Sequence, residues 1–496
     1  MGRPGRPRPA VLRKGTAMSE HVRMWIGGSW VDAESGATFE ATSPSSGEVI
    51  GTVPEGDRAD ARRAIEAAAR AQPGWAARSA FDRAGVLRRV AEVIDGRRDM
   101  LADALSLDQG KPRRAEALDE VEELIAYMEM AAADATRAEG LLPPSVDPAK
   151  RVLLQRVPRG VVAVISPWNW PYTMPAELLA PAIAYGNAVV WVPAPTTSIC
   201  AVRLAECLEA ADLPPGVVNL VTGPGPVVGD EIAANPGTQA VGFIGSIATG
   251  HTVAARAAGK ELLLEMGGNG PLVVLEDADL DRAVEATMTA CFLNAGQSCT
   301  AGERILVHEA VRDDFVARLV EAVARIRVGD PFDDRTTMGP LNNEPTAAKT
   351  ERHVAQAVEA GATLLAGGAR VPEHGSDLFF APTVLDGVTH DMEIAREETF
   401  GPVAPISAIA SEQEANDLVN ASPYGLLAAV FTADLRRGLR FAESVRTGWV
   451  NINEGTNYWE SHLPFGGRAG SRSGVGRVGG RFSMDRLTEL KTIVIA

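Results

Sequence analysis

Cysteine is scarce: Cys200, Cys207, Cys291 and Cys299 are the only four in 496 residues, and none forms a Cys-x-x-Cys pair. So few thiols cannot build a dense disulfide framework, which fits a reducing cytoplasm. The seven histidines include no His-Glu-x-x-His, so no metal site is expected. No Gly-x-Ser-x-Gly elbow occurs, which counts against a serine hydrolase. No stretch reaches the roughly 20 apolar residues of a spanning helix, so no membrane partner is expected. Positive charge is also short: 48 basic against 64 acidic residues leave a net charge of −16. Such a surface repels a polyanion and excludes nucleic acid as a natural partner, and an anionic cofactor would need a local site.

What is present is an ordinary enzyme composition, 46% hydrophobic and 23% charged, on a chain long enough for two or three domains. Residues 1–17 are basic and proline-rich, lack the apolar segment of a secretory signal and read as a disordered tail, with globular sequence starting at Met18. From 57 to 138, alanine-rich segments carry apolar residues at three- and four-residue spacing and predict amphipathic helices. Prolines then interrupt the pattern, and a new unit starts near 157. There GVVAVISPWN, GNAVVWVP, VVNLVTG and AVGFIG read as buried parallel strands alternating with helices such as SICAVRLAECLEAA, a dinucleotide-binding pattern. A second α/β series follows LLLEMGGNGPLVVL, with helices in LDRAVEATMTACFLNAG and AVRDDFVARLVEAVARI and strands in RILV, PVAPISAI and LLAAVFT.

The fingerprint G-x-G-x-x-G occurs only at Gly474, Gly476 and Gly479, without a strand and helix around it, and is set aside. Better phosphate candidates are Gly223-Pro-Gly225 and Gly245-Ser246 with Gly250, small residues where a strand gives way to a helix whose N–H groups can meet a pyrophosphate. Cys200, Cys207 and Cys291 sit in apolar helical patterns and read as core thiols. Cys299 differs, because Asn-Ala-Gly-Gln-Ser-Cys-Thr places its thiol in a small polar turn just past a helix.

Several separated motifs make the chain, from about Met24 to its C-terminus, resemble the aldehyde dehydrogenase superfamily. LLLEMGGNGP resembles the segment carrying the general base, at Glu265, and FLNAGQSCTAGERI the segment carrying the nucleophile, at Cys299. PWNWP resembles the segment that supplies an oxyanion-binding amide, at Asn169, and a cofactor-lining ring, at Trp168. EETFGPV resembles the segment whose Glu398 holds the nicotinamide ribose and whose Phe400 packs near the nicotinamide ring; NINEGTNYWESHLPFGG resembles a substrate-side loop. The resemblance further implies cofactor contacts at Ile165, Ser166, Val192, Pro195, Gly225, Gly229, Phe243, Gly245 and Ser246. It implies a substrate pocket of Trp170, Met174, Glu177, Leu293, Trp459 and Phe465.

These residue types suit the implied chemistry. A thiolate adds to an aldehyde more readily than water does, giving an adduct whose alkoxide expels hydride. The oxyanion needs donors, here the Asn169 amide and the Cys299 backbone N–H, and losing one such donor typically costs about 2.7–4 kcal/mol. The remaining thioester needs a carboxylate, Glu265, to activate water, and an apolar pocket would raise its pKa as the role demands.

Some positions depart from the family pattern. Val192 stands where a lysine usually meets the adenosine ribose or its 2′-phosphate, and Pro195 replaces an acid common in NAD-preferring relatives. NAD+ is therefore expected as cofactor, with NADP+ also used. Leu178 and Val478 replace the lysine and glutamate of one proton-relay network, so proton exit must take another route. The aromatic pocket favours an apolar or aromatic aldehyde, and Glu177, with no arginine placed in these motifs, argues against an anion such as succinic semialdehyde. Two other readings are a CoA-acylating relative, which needs no base for water, and a non-catalytic structural protein on the same fold.

The expected architecture is α/β throughout. It comprises a Rossmann-like NAD(P)-binding domain (18–138 and 158–263), an α/β catalytic domain (264–465) and a small β oligomerisation arm (139–157 and 478–496). The branched run in RLTELKTIVIA reads as an edge strand needing a partner, which implies a homodimer or homotetramer.

Overall fold

The computed structural model describes residues 20–496, so the basic tail expected at 1–17 lies outside the described residues. Two parallel-rich sheets organise the chain. The first has eight strands, in the order Gly474–Val475, Glu261–Met266, Ala240–Gly245, Val161–Ile165, Ala188–Val192, Val218–Leu220, Met24–Ile26 and Ser29–Val31. The five strands from Glu261–Met266 to Val218–Leu220 run parallel. VVAVI and AVVWV form its centre because helices cover both faces, so every side chain can be apolar.

Chain order reverses beside Val161–Ile165: its successors Ala188–Val192 and Val218–Leu220 lie on one side, Ala240–Gly245 on the other. Such a reversal opens a crevice at the carboxyl ends of the strands, the usual ligand position in open α/β sheets. Helix Arg58–Ala76 begins with a capping box, Asp57 accepting from the Asp60 N–H and Asp60 accepting from the Asp57 N–H.

The second sheet has seven strands, in the order Thr363–Ala366, Thr383–Asp386, Val403–Ile409, Gly302–His308, Gly270–Val274, Leu427–Phe431 and Trp449–Ile452, parallel except for the first. Strand Glu261–Met266 belongs whole to the first sheet and Gly270–Val274 to the second. A boundary at 263/264 therefore cuts a strand; the hydrogen-bond ladder puts the crossing at Gly267-Gly268-Asn269 instead.

Strand Thr488–Ile495 pairs antiparallel with Arg151–Pro158, in register from Thr488↔Pro158 to Ile495↔Arg151. Leu490, Val494 and Ile495 on it are half exposed, and Leu141, Leu142 and Val146 lie bare nearby. The sequence reading missed a third, small sheet of Glu20–His21, Thr38–Thr42 and Val49–Pro54. Among the described residues, no helix is long and apolar enough to cross a membrane.

Candidate active site

Cys299 lies between helix Leu280–Phe292 and strand Gly302–His308. The turn leading to it is left-handed at Asn294 (φ 51°), Ala295 (φ 53°) and Gly296 (φ 74°), a conformation that costs non-glycine residues roughly 1–3 kcal/mol each. Hydrogen bonds hold it there. The Asn294 N–H donates to Glu116 Oε1 (2.9 Å), and its side chain accepts from Gln109 Nε2 (3.0 Å) and donates to the Asn169 carbonyl (2.9 Å). Gln297 Nε2 donates to the Asn294 carbonyl (2.8 Å) while its Oε1 accepts from the Asn342 N–H (2.8 Å).

Asn169 shares this frame: its Nδ2 donates one hydrogen to the Gln297 carbonyl (3.1 Å). An amide carries two such hydrogens, and Asn169 lines the same pocket as Cys299. That pocket is further lined by Trp170, Met174, Glu177, Ser298, Thr300, Trp459 and Phe465. Leu293, expected there, is not among the lining residues: the chain turns at the end of its helix and directs Ser298 and Thr300 to the pocket instead. Trp459 and Phe465 pack with ring centroids 5.9 Å apart. Behind Trp170, the buried Lys111 ammonium lies 3.1 Å from the ring centroid and is paired with Glu120.

Glu265 sits near the carboxyl end of strand Glu261–Met266, almost fully buried, with its Oε1 lacking a hydrogen-bond partner. Its carboxyl is an electrostatic neighbour of the Cys299 thiol. Burial above all, with the Glu177 and Glu398 charges, pushes Glu265 well above the usual carboxylate range. Burial followed by Glu265, Glu398 and Glu177 likewise pushes the Cys299 thiol up. Both shifts favour the neutral forms, and among the described residues no Lys, Arg or His lines the pocket to favour a thiolate.

The two glycines after Glu265 permit close approach. A Cβ on Gly268 would lie 2.4 Å from the Cys299 carbonyl oxygen, and one on Gly267 would lie 2.6 Å from Glu398 Oε1. The Gly268 N–H donates to Glu398 Oε1 (2.9 Å), and burial pushes Glu398 up to about 7. Phe400 is left-handed (φ 61°) and meets Trp168 edge to face at 5.5 Å. Sequence reasoning missed what fixes this segment: buried Glu303 accepts from the Thr399 (2.6 Å) and Phe400 (2.7 Å) N–H groups. An acid in the buried strand GERILVH was its only signal.

The cofactor candidates cluster at the crevice of the first sheet. Ile165, Val192 and Phe243 sit in register on its three central strands, with Ser166, Gly245 and Ser246 just beyond them. Ser246 caps helix Ile247–Arg256, accepting from the Thr249 N–H (3.4 Å). Gly245 and Gly250 leave room there, since a Cβ would fall 2.8 Å from Phe243 and 2.0 Å from Met266, respectively. Gly225 has open space beside it, Gly229 faces Ile165, and Pro195 is exposed. Small residues, a helix N-terminus at the strand ends and the paired Trp168 and Phe400 rings fit a dinucleotide. Val192 is 1% exposed and packs with Val161, Ala163 and Val190 in the core. Ser166 Oγ is engaged as well, accepting from Trp191 Nε1 (2.8 Å).

Comparison with known proteins gives the same direction. The model of the "Aldehyde dehydrogenase family" matches residues 30–493. A glutarate-semialdehyde dehydrogenase of Pseudomonas putida is 38% identical over 95% of this chain and 97% of its own length. An NADP(+) succinate-semialdehyde dehydrogenase of Escherichia coli is 38% identical over 95% of this chain and 97% of its own. The crystal structure of a succinate-semialdehyde dehydrogenase from Burkholderia pseudomallei superposes with a TM-score of 0.93 at 40% identity, covering 97% of this chain and 99% of that one. A thiol and an amide at one pocket, a buried acid beside the thiol and a sheet-end crevice shaped for a dinucleotide thus stand on a chain that belongs to the aldehyde dehydrogenase family.

Proposed function

We propose that the protein oxidises an uncharged, apolar or aromatic aldehyde to its acid with NAD(P)+ and water. The observation that carries this reading is that Cys299 and Asn169 line one pocket, with the buried Glu265 carboxyl close enough to the thiol for each to shift the other's ionisation. Cys299 Sγ bonds to the carbonyl carbon as its proton passes to the ionised form of Glu265, which gives it up to pocket water before hydrolysis. The Asn169 amide and the Cys299 N–H stabilise the oxyanion. A bound nicotinamide dinucleotide, held by Glu398, Trp168, Phe400 and the crevice residues, supplies the hydride acceptor. Glu265, ionised again, then takes a proton from water as the water oxygen bonds to the thioester carbon, and the C–S bond breaks to release the acid and a thiolate, which is reprotonated from pocket water.

The wall chemistry supports the substrate class. Trp170, Met174, Trp459 and Phe465 offer apolar faces, Glu177 stands among them, and no basic side chain lines the pocket. The relatives named for glutarate and succinate semialdehydes act on aldehydes ending in a carboxylate; such an end would meet Glu177 here without a counter-ion, a costly burial. With benzaldehyde, hexanal and succinic semialdehyde as a panel, we expect kcat/KM for the uncharged aldehydes to exceed that for succinic semialdehyde at least tenfold, about 1.4 kcal/mol. A preference for succinic semialdehyde would sink the substrate assignment, and a requirement for added CoA would sink the hydrolytic one.

Cofactor choice follows from two absences. Val192 offers no cation to a 2′-phosphate and Pro195 no repelling acid, which supports NAD+ with some use of NADP+. The exposed apolar residues of strand Thr488–Ile495 and of Leu141, Leu142 and Val146 support a homodimer or homotetramer joined through this arm. Deleting 488–496 is expected to lower the mass measured by light scattering to that of a smaller assembly or a monomer; a soluble particle with the parent's subunit count would refute the arm's role.

A further inference from the structure

Each turnover of the proposed reaction leaves protons at Glu265, and the pocket side of that acid offers no basic residue to remove them. Leu178 and Val478, both 1% exposed, carry no ionisable group: Leu178 packs beside Gly242, and Val478 pairs with Phe465. Glu177 is placed otherwise. It lines the Cys299 pocket, and it also lines a second cavity bounded by Tyr127, Asp134, Tyr185, Gly480 and Ser483, which Cys299 does not touch. Between the two, the Tyr127 hydroxyl donates to Glu177 Oε1 (2.8 Å).

The second cavity holds little more than a water molecule, and it is furnished for one. The Ser483 Oγ is buried with no hydrogen-bond partner, an arrangement that native proteins ordinarily satisfy with ordered water. Asp134, half-buried at its edge, is near Arg137, Arg481 and His462, so the cavity borders the charged surface.

We infer that Glu177 is the proton-transfer group of this enzyme, carrying protons from Glu265 in the catalytic pocket to water in the Tyr127–Ser483 cavity and out past Asp134. The inference rests on the hydrolytic reaction proposed above. The proton bound to the Glu265 carboxyl after water attack moves, through pocket water, to a Glu177 oxygen. Glu177 releases it to cavity water, directly or by a hop in which the Tyr127 hydroxyl gives up one proton and takes another. No electron pair leaves the pathway, and Glu265 and Glu177 return to their starting states. The ionisable groups facing Glu177 are Tyr127 and Glu123 from helix Leu118–Ala135, Glu265 from its strand, and Cys299. Burial of Glu177 among them pushes its carboxyl up to about 8, within reach of proton exchange at neutral pH.

The test follows pre-steady-state kinetics of Glu177→Gln with a saturating aromatic aldehyde. The expected result is a burst of one reduced cofactor per site, then a slow phase about 100-fold below the parent rate, the low end of what a positioned proton-transfer group contributes. The slow phase should accelerate as imidazole buffer is raised, because a small base replaces the missing carrier. Asp134→Asn and Ala131→Leu, which alter only the second cavity, should slow the same phase severalfold at unchanged KM for aldehyde. Glu177→Gln turning over at the parent rate, or slowing without a burst and without response to buffer, overturns the inference and leaves Glu177 as a pocket wall. Failure of the reaction itself reads out separately, as a parent that oxidises no aldehyde.

Discussion

Cys299→Ala abolishes aldehyde oxidation, and Glu265→Gln keeps a stoichiometric burst of reduced cofactor followed by slow release of acid. The difference follows from the site. Without sulfur no covalent adduct forms, so hydride has no alkoxide behind it, and the loss is that of an essential nucleophile, about 10⁴-fold or more by analogy with other covalent catalysts. Without the Glu265 carboxylate the thiol still ionises, with more help from solvent, but the thioester waits for unassisted water. Because burial holds Glu265 protonated well above the usual range, its basic form grows as pH rises. The parent's acid-release phase should therefore accelerate with pH, and that of Glu265→Gln should not. Stopped-flow absorbance of the reduced cofactor measures both phases; equal steady turnover in parent and either variant would refute these roles.

Gly268→Ala is expected to cost at least 100-fold in kcat/KM, although it adds only one methyl group. Its Cβ would fall 2.4 Å from the Cys299 carbonyl oxygen, so the nucleophile's backbone must move, and displacing a reacting group by about 1 Å can cost that much. The same shift disturbs the Gly268 N–H bond to Glu398. Gly74→Ala, in a helix with nothing within 4 Å of the new methyl, is the control and should keep parental kinetics. If Gly268→Ala matched that control, the glycine pair would not set the geometry of the nucleophile.

The central strands were readable because burial on both faces leaves a composition, VVAVI and AVVWV, that little else explains. Cys299 was readable because a thiol in Asn-Ala-Gly-Gln-Ser-Cys breaks the apolar pattern of the other three. What could not be read is which distant groups answer each other. Glu303 bonds to N–H groups almost a hundred residues on, and Asn294 to Glu116 far upstream, so neither role leaves a local pattern. Tyr127, in an amphipathic helix, looks like any core tyrosine until its hydroxyl is found on Glu177. The division at 263/264 failed because sequence marks a change of pattern, whereas the ladder of Glu261–Met266 runs through it.

Glu265 is carried by one sheet and Cys299 enters the other, with only Gly267-Gly268-Asn269 crossing between them at the point of contact. The distance from nucleophile to base is thus a measure of how the two halves of the molecule are seated on each other. Any influence that rocks one half, whether a crowded surface loop, a mild denaturant or a loosened neighbour in an assembly, is felt first as mistimed chemistry, while helices and strands remain intact. Turnover in this protein therefore doubles as a mechanical gauge, more sensitive to the alignment of its halves than any spectroscopic record of secondary structure.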